Sequence, residues 1–583
     1  MDMQDQTVGI WNSTRQLVLL ALLWLGTGAA VRAEVTIEGV EPIIRGNVLA
    51  YLRLDDETCD SPNWRVRRLY AESETEIRAA LEVTGYYDVE IDSELRHGDA
   101  CWQADFTIRP GQPVVLRNVS IKVDGGDDKL QAVARACALR SGDVLQHAKY
   151  DTCRRQITRL AEDRGYFSRE FIERRVDVYP DDFAADITLH LVTGPRYVFG
   201  ETTLDQEVLD HDIIRRFVAI APGDPYDAER VRLLQRDLIA STYFDQVVFD
   251  RDARGAPHFD VPLKVSLTAG KKYQYTAGVG FATDTGPKLR GGVLNRRINA
   301  SGHQGEVEAN LSRVISDIKV SYRVPLEKPR DWATYDTGYK LEDNDSFKSA
   351  LFTAGAQRVQ QRKNGWARTV FLQLRLEDYE TGTFQEDQSK LLTPGIGYAF
   401  VEEDYPPRPL AGHRTSVLLR GAADFLISDT SFLQVYGNTK WVFGLWSGAR
   451  LLTRVEAGFT AIDRFAELPA TVRFYAGGDV SVRGYAYQSL GPTDLLGAVI
   501  GGSNLLVGSV EIDQQVTENW SIAAFIDSGN AYDVFKDFDP ATGVGAGIRW
   551  LSPLGPIRID VAVPLEKDAP DDYRFHITLG PDL

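Results

Sequence analysis

One stretch of the chain decides how the fold is interpreted: Arg473-Phe474-Tyr475-Ala476-Gly477-Gly478-Asp479-Val480-Ser481-Val482-Arg483-Gly484-Tyr485. Around it lie many short segments in which apolar and polar residues alternate, a pattern typical of β-strands with one buried face. Two strand-like segments downstream carry Glu511 and Asp527, acidic residues that could receive an arginine. Together these features predict a membrane β-barrel that holds a loop inside it.

The alternating pattern occupies residues 271–583 and divides into sixteen candidate strands. They are Tyr273–Thr283, Lys288–Ile298, His303–Val314, Asp317–Pro325, Trp332–Leu341, Ala350–Gln361, Trp366–Tyr379, Leu391–Glu402, Arg414–Phe425, Phe432–Leu445, Ala449–Ile462, Asn504–Gln514, Trp520–Asp527, Val544–Leu551, Ile557–Pro564 and Tyr573–Gly580. Most have about ten residues, the length at which a tilted strand crosses a bilayer. Because lipid offers no hydrogen bonds to backbone groups, such a sheet must close on itself. A soluble sandwich of sheets is the alternative, and aromatic residues near the strand ends favour the barrel.

One connection, residues 463–503, is much longer than the others and contains the opening stretch. Loops of this length are usually functional. Arg483 carries a fixed positive charge on a planar fork of donors, so it needs an acidic partner inside a barrel. We expect the loop to fold into the lumen and Arg483 to pair with Glu511, Asp527 or both. A solvated arginine on an exposed hairpin is the alternative.

Residues 34–270 repeat one unit three times. In each unit a helical segment ends at a pair of aromatic residues, and a strand and a glycine turn follow. The first residues of these pairs, Tyr86, Tyr166 and Tyr243, are 80 and 77 residues apart, which indicates tandem repeats. The order strand, helix, helix, strand, strand predicts three small α+β domains. We place them at residues 34–111, 112–194 and 195–270.

All four cysteines lie in the first two repeated units. Four cysteines allow three pairings. Because each pair then lies inside one repeat, we expect the disulfides Cys59–Cys101 and Cys137–Cys153, formed in an oxidising compartment. A metal site is the alternative, but the spacings lack the close Cys-x-x-Cys pairs that are typical of zinc sites.

Charge and the N-terminus restrict the partners and the compartment. The 583-residue chain has a formal net charge of −18, which argues against nucleic acid because phosphate binding needs a basic surface. Residues 1–33 have the pattern of a secretory signal peptide, with Arg15 before the apolar run Leu17–Leu25 and small residues at Val31-Arg32-Ala33. An uncleaved anchor is the alternative, although the apolar run is too short to span a bilayer.

Several segments of the chain resemble known families. The three repeated units resemble POTRA (polypeptide-transport-associated) domains, and three later segments resemble the signature segments of outer-membrane insertase and translocase barrels. Those segments are Val482-Arg483-Gly484-Tyr485, Phe525-Ile526-Asp527-Ser528-Gly529 and Gly545–Asp560. Three POTRA-like units, taken with the context of Arg473–Tyr485, resemble the TamA family, the outer-membrane subunits of translocation and assembly modules.

The resemblance implies three small α+β POTRA-like domains in the periplasm, followed by a 16-stranded antiparallel transmembrane β-barrel in a bacterial outer membrane. It implies a role in assembling outer-membrane proteins such as autotransporters. The implied partners are unfolded outer-membrane protein clients, outer-membrane lipids and a TamB-like protein, which is anchored in the inner membrane and spans the periplasm. It also implies roles for Val482, Arg483, Gly484 and Tyr485 as a lumen-loop motif, with Glu511 and Asp527 as its strand partners.

A barrel of this kind closes where its first strand, from Tyr273, meets its last, and the resemblance implies a weak seam there that opens sideways. Gly278 and Gly280 weaken the first strand, although barrel curvature also explains them. Gly580 precedes a proline, which donates no ladder hydrogen bond and ends the pairing. A client strand could add to the exposed edge by β-augmentation. The last strand carries apolar residues on one face: Tyr573, Phe575, Ile577 and Leu579.

No catalytic residue, metal site or cofactor is expected. The 8 histidines form no His-x-x-x-His arrangement, and the chain has no Gly-x-Ser-x-Gly motif. Three other functions stay open. The first is a passive outer-membrane channel, which has no need of the repeated units or the long loop. The second is a two-partner secretion transporter, which needs a plug helix that is not evident. The third is lipid passage between membranes, which has been proposed for the family.

Overall fold

The computed structural model describes residues 33–98, 101–250, 259–362, 364–383, 385–404, 408–552, 555–566, 569 and 572–579. The signal peptide predicted at residues 1–33 lies outside this range except for Ala33, and the seam residue Gly580 also lies outside it. The chain divides into two compact units. The first contains two small sheets with their helices, and the second contains the large sheet and most of a third small one.

The first small domain is a three-stranded sheet with two helices. Its elements are β1 (Glu34–Glu38), α1 (Pro42–Tyr51), α2 (Asn63–Glu82), β2 (Glu90–His97) and β3 (Trp102–Arg109), and the strand order is β1-β3-β2. Every second residue of β3 is buried, which places Phe106 against Ile77 of α2 in one core. The disulfide Cys59–Cys101 joins the segment before α2 to the start of β3.

The second small domain repeats this arrangement. It contains β4 (Val115–Asp124), α3 (Asp128–Ala136), α4 (His147–Asp163), β5 (Glu170–Tyr179) and β6 (Ala184–Val192), with the strand order β4-β6-β5. Asp127 caps α3 because its carboxylate accepts the backbone N–H of Leu130. The disulfide Cys137–Cys153 links the end of α3 to α4.

A third small sheet follows, with β7 (Val198–Asp205), α5 (His211–Arg215), α6 (Ala228–Ala240), β8 (Phe244–Asp250) and β9 (Asp260–Ala269) in the order β7-β9-β8. Within the second unit, Tyr243 is buried and its hydroxyl donates to the carbonyl of Gly302. The side-chain amide of Gln304 donates to the carbonyl of Ser241. These contacts tie the third domain to one end of the large sheet.

The large sheet is a closed barrel of sixteen antiparallel strands, β10 to β25, in which neighbours in sequence are neighbours in space. The strands are β10 (Tyr273–Ala282), β11 (Gly286–Asn295), β12 (Gln304–Ser312), β13 (Ile315–Pro325), β14 (Asp331–Asp343), β15 (Phe347–Gln361), β16 (Ala367–Thr381), β17 (Gln385–Glu403), β18 (Gly412–Ala422), β19 (Phe432–Gly444), β20 (Ala449–Ile462), β21 (Asn504–Gln515), β22 (Trp520–Tyr532), β23 (Ala541–Ser552), β24 (Gly555–Pro564) and β25 (Arg574–Leu579). The predicted fold class is confirmed. Among the described residues, no helix combines the length and the apolarity needed to span a bilayer.

Alternation along the strands separates the two faces of the barrel wall. In β22, Ile522 and Ile526 are exposed on the outer face, whereas Asp527 is fully buried on the inner face. In β21, Ile512 points outward and Glu511 inward in the same way. An apolar exterior with polar inward positions is the pattern of a barrel in lipid. The acidic residues selected from the sequence therefore point into the lumen.

Candidate functional site in the barrel lumen

The loop between β20 and β21, residues 463–503, lies against the inner wall of the barrel. Its residues Phe474 and Val482 pack with Leu505 and Val507 of β21 in a buried apolar cluster. Val482 has no exposed surface. Since this cluster contains both loop and wall residues, the loop is a packed part of the interior.

Arg483 of this loop contacts three carboxylates of the wall. Its Nε and Nη2 atoms donate to Asp527 over 2.7 and 3.0 Å, and its backbone N–H donates to the same carboxylate over 3.1 Å. Its Nη1 atom donates to Glu511 over 2.8 Å and to Asp560 over 3.0 Å. The guanidinium carbon lies 3.3 Å from the ring centroid of Phe525, which adds a cation–π contact. Every donor nitrogen of the side chain therefore has an acidic partner.

A second arginine, Arg549 of β23, completes the network from the wall side. Its Nη2 atom donates to Glu511 over 2.9 Å, and its Nη1 atom donates to Asp560 over 2.5 Å. Glu511 and Asp560 thus each bridge Arg483 and Arg549. Arg454 of β20 also reaches the loop, where its guanidinium donates to the carbonyl of Ser481.

The residues of the network are almost fully buried, and this burial sets how much the network contributes to stability. Arg483 is 7% exposed, Asp527 0% and Asp560 4%. Removing one partner from such a group leaves a buried charge without compensation, which typically costs about 3–5 kcal/mol. The network therefore fixes the position of the loop more strongly than a surface ion pair, which contributes about 0–1 kcal/mol.

Two glycines make room for the loop backbone. Gly484 has φ +101°, a left-handed conformation that side-chain-bearing residues rarely adopt. Gly543 of β23 lies opposite Asp527, and a Cβ atom there would sit 1.8 Å from the carbonyl oxygen of Arg483. The backbone of the motif can approach the wall this closely only because β23 has no side chain at this position.

The loop also contacts the last strand and the first hairpin of the barrel. The backbone N–H of Gly484 donates to Nε2 of His576 in β25 over 2.9 Å. Nδ1 of His576 lies 2.6 Å from Asp479 of the loop. The backbone N–H of Asp479 donates to Asp284, in the turn between β10 and β11, over 2.5 Å. One loop segment thus touches both ends of the barrel sheet.

The seam joins β10 to β25, the first and last strands of the barrel. β10 pairs with β11 along its whole length, from Tyr273 to Ala282. Between β10 and β25, the register of the described residues contains the single pair Ala282–Thr578. Two further hydrogen bonds join Thr283 of the turn to Ile577. The backbone N–H of Thr283 donates to the carbonyl of Ile577 over 3.2 Å, and the N–H of Ile577 donates to the hydroxyl of Thr283 over 2.7 Å.

The seam residues selected from the sequence occupy two kinds of position. Tyr273, Gly278 and Gly280 pair with β11, and within the described range none has a register partner on β25. The side chains of Tyr573, Phe575 and Leu579 are exposed, and Ile577 is half-buried. Within the described residues, which end at Leu579, the register places Ala282 opposite Thr578.

The structure brings together Arg483, Glu511 and Asp527, three of the residues selected from the sequence. Sequence reasoning missed Arg549 and Asp560, although both lie in the segment Gly545–Asp560 that carried the family resemblance. Charged residues on inward positions of otherwise apolar strands were the signal that could have identified them. It also missed the contribution of His576, because β25 carries none of the family's signature segments.

Comparisons with known proteins agree with this architecture. Residues 263–582 match the model of the Omp85 superfamily domain, and residues 34–110 match the model of POTRA domain TamA domain 1. The outer membrane protein assembly factor BamA of Neisseria meningitidis is 23% identical over 88% of this chain and 72% of its own length. BamA of Nitratidesulfovibrio vulgaris is 23% identical over 72% of this chain and 55% of its own length.

A solved structure has a related fold. The crystal structure of BamA from Haemophilus ducreyi lacking POTRA domains 1-3 aligns with a TM-score of 0.62. The alignment covers 80% of this chain and 99% of that chain at 18% sequence identity. At this identity the similarity concerns the fold alone.

Proposed function

The chain belongs to the Omp85 superfamily, and on that premise we propose that it inserts or secretes outer-membrane β-barrel proteins such as autotransporters. Its barrel lies in the outer membrane and its POTRA domains lie in the periplasm. It is an assembly and transport protein rather than an enzyme. The proposal concerns the kind of client, the route and the partner.

The observation that carries the proposal is the seam between the first and last strands, where the described residues pair at one position. Each ladder between sequence neighbours pairs a run of residues, for instance fifteen positions from Phe347 to Gln361 between β15 and β16. The β10–β25 ladder has one described register pair, Ala282–Thr578. Ladder hydrogen bonds hold a barrel closed in lipid, and we take the β10–β25 junction as the one that separates.

An opened seam exposes the free edge of β10. A client strand can pair with that edge through backbone hydrogen bonds, which make little demand on the client's sequence. Tyr275 and Val279 of β10 have 75% of their surface exposed, so the outer face of this strand is apolar where it meets lipid. Each added strand presents a new edge, and a client barrel could grow from it.

The lumen loop supports this route over passive diffusion. Arg483 and the carboxylates of β21, β22 and β24 fix the loop inside the barrel. A loop fixed against the inner wall has no use in passive diffusion, and loops of this length are usually functional. The match of residues 34–110 to a TamA domain supports a TamB-like partner that is anchored in the inner membrane and meets the POTRA domains.

Locking the seam tests the proposal. Ala282 and Thr578 face each other in the antiparallel register. Facing residues of an antiparallel pair have Cα atoms about 4.5–5.5 Å apart, within the range that a disulfide bridges. The double variant Ala282→Cys/Thr578→Cys should form a disulfide on oxidation and lose insertion of an autotransporter barrel into proteoliposomes.

The matched controls are the two single cysteine variants and the pair Thr439→Cys/Val455→Cys, which bridges the long β19–β20 ladder. All three should retain insertion under the same oxidant. Full insertion by the quantitatively crosslinked Ala282–Thr578 variant would rule out the seam route.

A further inference from the structure

His576 lies in the last strand and bonds to the motif of the lumen loop, and this contact depends on which ring nitrogen of His576 carries the proton. Its side chain is 2% exposed. Nε2 receives the backbone N–H of Gly484, and Nδ1 faces a carboxylate oxygen of Asp479 at 2.6 Å. The backbone N–H of Asp479 donates to the carboxylate of Asp284 over 2.5 Å, and the backbone N–H of Asp284 donates to the carboxylate of Asp479 over 3.3 Å.

These contacts fix the protonation state of the imidazole. A backbone N–H can only donate, so Nε2 must offer a lone pair to Gly484. The ring proton must then reside on Nδ1, from which it is donated to Asp479. Both contacts are satisfied by the neutral ring with its proton on Nδ1, and by no other form of the side chain.

A metal ion is the alternative use of this cluster, because ligand atoms of Asp284, Asp479 and His576 lie within 4.8 Å of one another. The geometry argues against it. The distance of 2.6 Å between Nδ1 and Asp479 is that of a shared proton, and two ligands of one ion stand farther apart. Coordination through either ring nitrogen would also break a hydrogen bond that the neutral ring already makes.

Protonation of the ring would have the opposite effects on its two contacts. An imidazolium carries N–H on both nitrogens, so its Nε2–H would face the N–H of Gly484 and that bond would be lost. The contact to Asp479 would remain and become charge-assisted. The bond to Gly484 is therefore present at high pH and is lost as the pH falls.

Several charged groups surround the ring and influence its titration. The loop contributes Asp479 and Arg483, the first hairpin Asp284, β24 Asp560 and Arg558, and β25 itself Arg574. Burial and the neighbouring charge of Asp479 raise the pKa of Asp284 to about 6. Asp284 therefore changes its charge near pH 6, and any test must separate its effect from that of the ring.

We propose that His576 is a proton-controlled latch, which holds Gly484 of the lumen loop to the last strand while the ring is neutral and releases it when the ring is protonated. The latch joins the loop to one side of the seam through His576 and to the other side through Asp284. Acidification would release Gly484 from β25, while Asp479 stays bound to the ring and Arg483 stays bound to β21 and β22. The inference concerns one hydrogen bond and holds whether or not clients use the seam.

Hydrogen–deuterium exchange of the full chain in detergent micelles tests the latch directly, since the bonded group is a backbone amide. The readout is the protection of the segment 480–487, corrected for the intrinsic exchange rate, at about pH 8 and about pH 5. In the wild type, protection should fall by about tenfold at the lower pH. His576→Gln offers one donor and one acceptor that do not titrate, so its protection should not change with pH. His576→Leu should have low protection at both values.

Two controls separate His576 from other titrating groups. His413→Gln alters a histidine of the outer wall that stacks on Trp441, and it should show the wild-type fall. Asp284→Asn should show that fall as well. Unchanged protection in the wild type, a fall in His576→Gln, or no fall in Asp284→Asn would overturn the proposal. Protection that rises with added Zn²⁺ and is reversed by a chelator would show a metal site and would also overturn it.

Discussion

Arg483 donates three hydrogen bonds to the carboxylate of Asp527, from Nε over 2.7 Å, from Nη2 over 3.0 Å and from its own backbone N–H over 3.1 Å. Asp527 is fully buried. The pair therefore positions both the side chain and the backbone of the loop, at a place where neither partner has more than a few per cent of its surface exposed. The loop is held as a structural element of the barrel rather than as a mobile lid.

The first prediction concerns removal of this cation. Arg483→Ala leaves the buried Asp527 without its bonded cation and leaves Glu511 and Asp560 with Arg549 alone, so the free energy of unfolding should fall by about 3–5 kcal/mol. Unfolding in denaturant, followed by the gel mobility of the folded barrel, measures it. Arg464→Ala is the matched control in the same loop, because the side chain of Arg464 is 76% exposed, and it should change stability by less than about 1 kcal/mol. Equal effects of the two substitutions would show that the network does not hold the loop.

A second prediction uses two strand glycines of the barrel. Gly543→Ala places a methyl group against the carbonyl of Arg483, which it would approach to 1.8 Å. Overpacking of this kind costs about 1–3 kcal/mol, and the loop should become accessible to protease. Gly291→Ala is the control, because a Cβ atom at Gly291 meets nothing within 4 Å. Protease resistance that is the same for both variants would contradict the close approach of loop and wall.

The third prediction concerns pH. The pKa of Asp284 is raised to about 6 by burial and by the charge of Asp479. A raised carboxyl pKa means that the folded state resists ionisation, so stability decreases as the pH rises through about 6. Asp284→Asn keeps the acceptor and removes the charge, and it should raise the free energy of unfolding at pH 8 by on the order of 1 kcal/mol. The gain should shrink as the pH falls and vanish below about pH 4. A gain that is constant with pH would exclude the charge as its cause.

A fourth prediction concerns the periplasmic domains. The disulfide Cys137–Cys153 closes a loop with a sequence separation of 16 residues, and loops of this length stabilise a domain by about 3 kcal/mol. The double variant Cys137→Ser/Cys153→Ser should therefore lower the unfolding midpoint of the second small domain. Limited proteolysis should cut that domain first, while the gel mobility of the folded barrel stays unchanged. Early loss of the barrel would show that the domain and the barrel unfold together.

Alternation and the repeat made the fold predictable. Ile526 outward and Asp527 inward are neighbours in sequence, and a period of two places them on opposite faces without any tertiary information. The partners of Arg483 were predictable in part, because Glu511 and Asp527 stand in strong strand patterns. Asp560 could be recognised as an inward charge but not as a partner of Arg483, and His576 could not be recognised as one either, because their approach to the loop depends on strand register and on the curvature of the closed sheet.

The contact between the first and last strands was also predictable only in part. Sequence suggests which strand is first and which is last, but register decides where they touch. A one-residue shift would exchange the inward and outward faces of β25. The sequence predicts that the first and last strands meet, and within the described residues the register places Ala282 opposite Thr578, a position that only coordinates can locate.

The most direct test of the account is to catch a client strand on the edge of β10 during insertion. Single cysteines along β10, from Gln274 to Phe281, would be crosslinked to cysteines in the last strand of an autotransporter barrel, with positions on the outer face of β17 as controls. Addition at the seam predicts crosslinks on β10 that recur at every second residue, and none on β17. Crosslinks of equal yield on both strands, or complete insertion with none on β10, would contradict it.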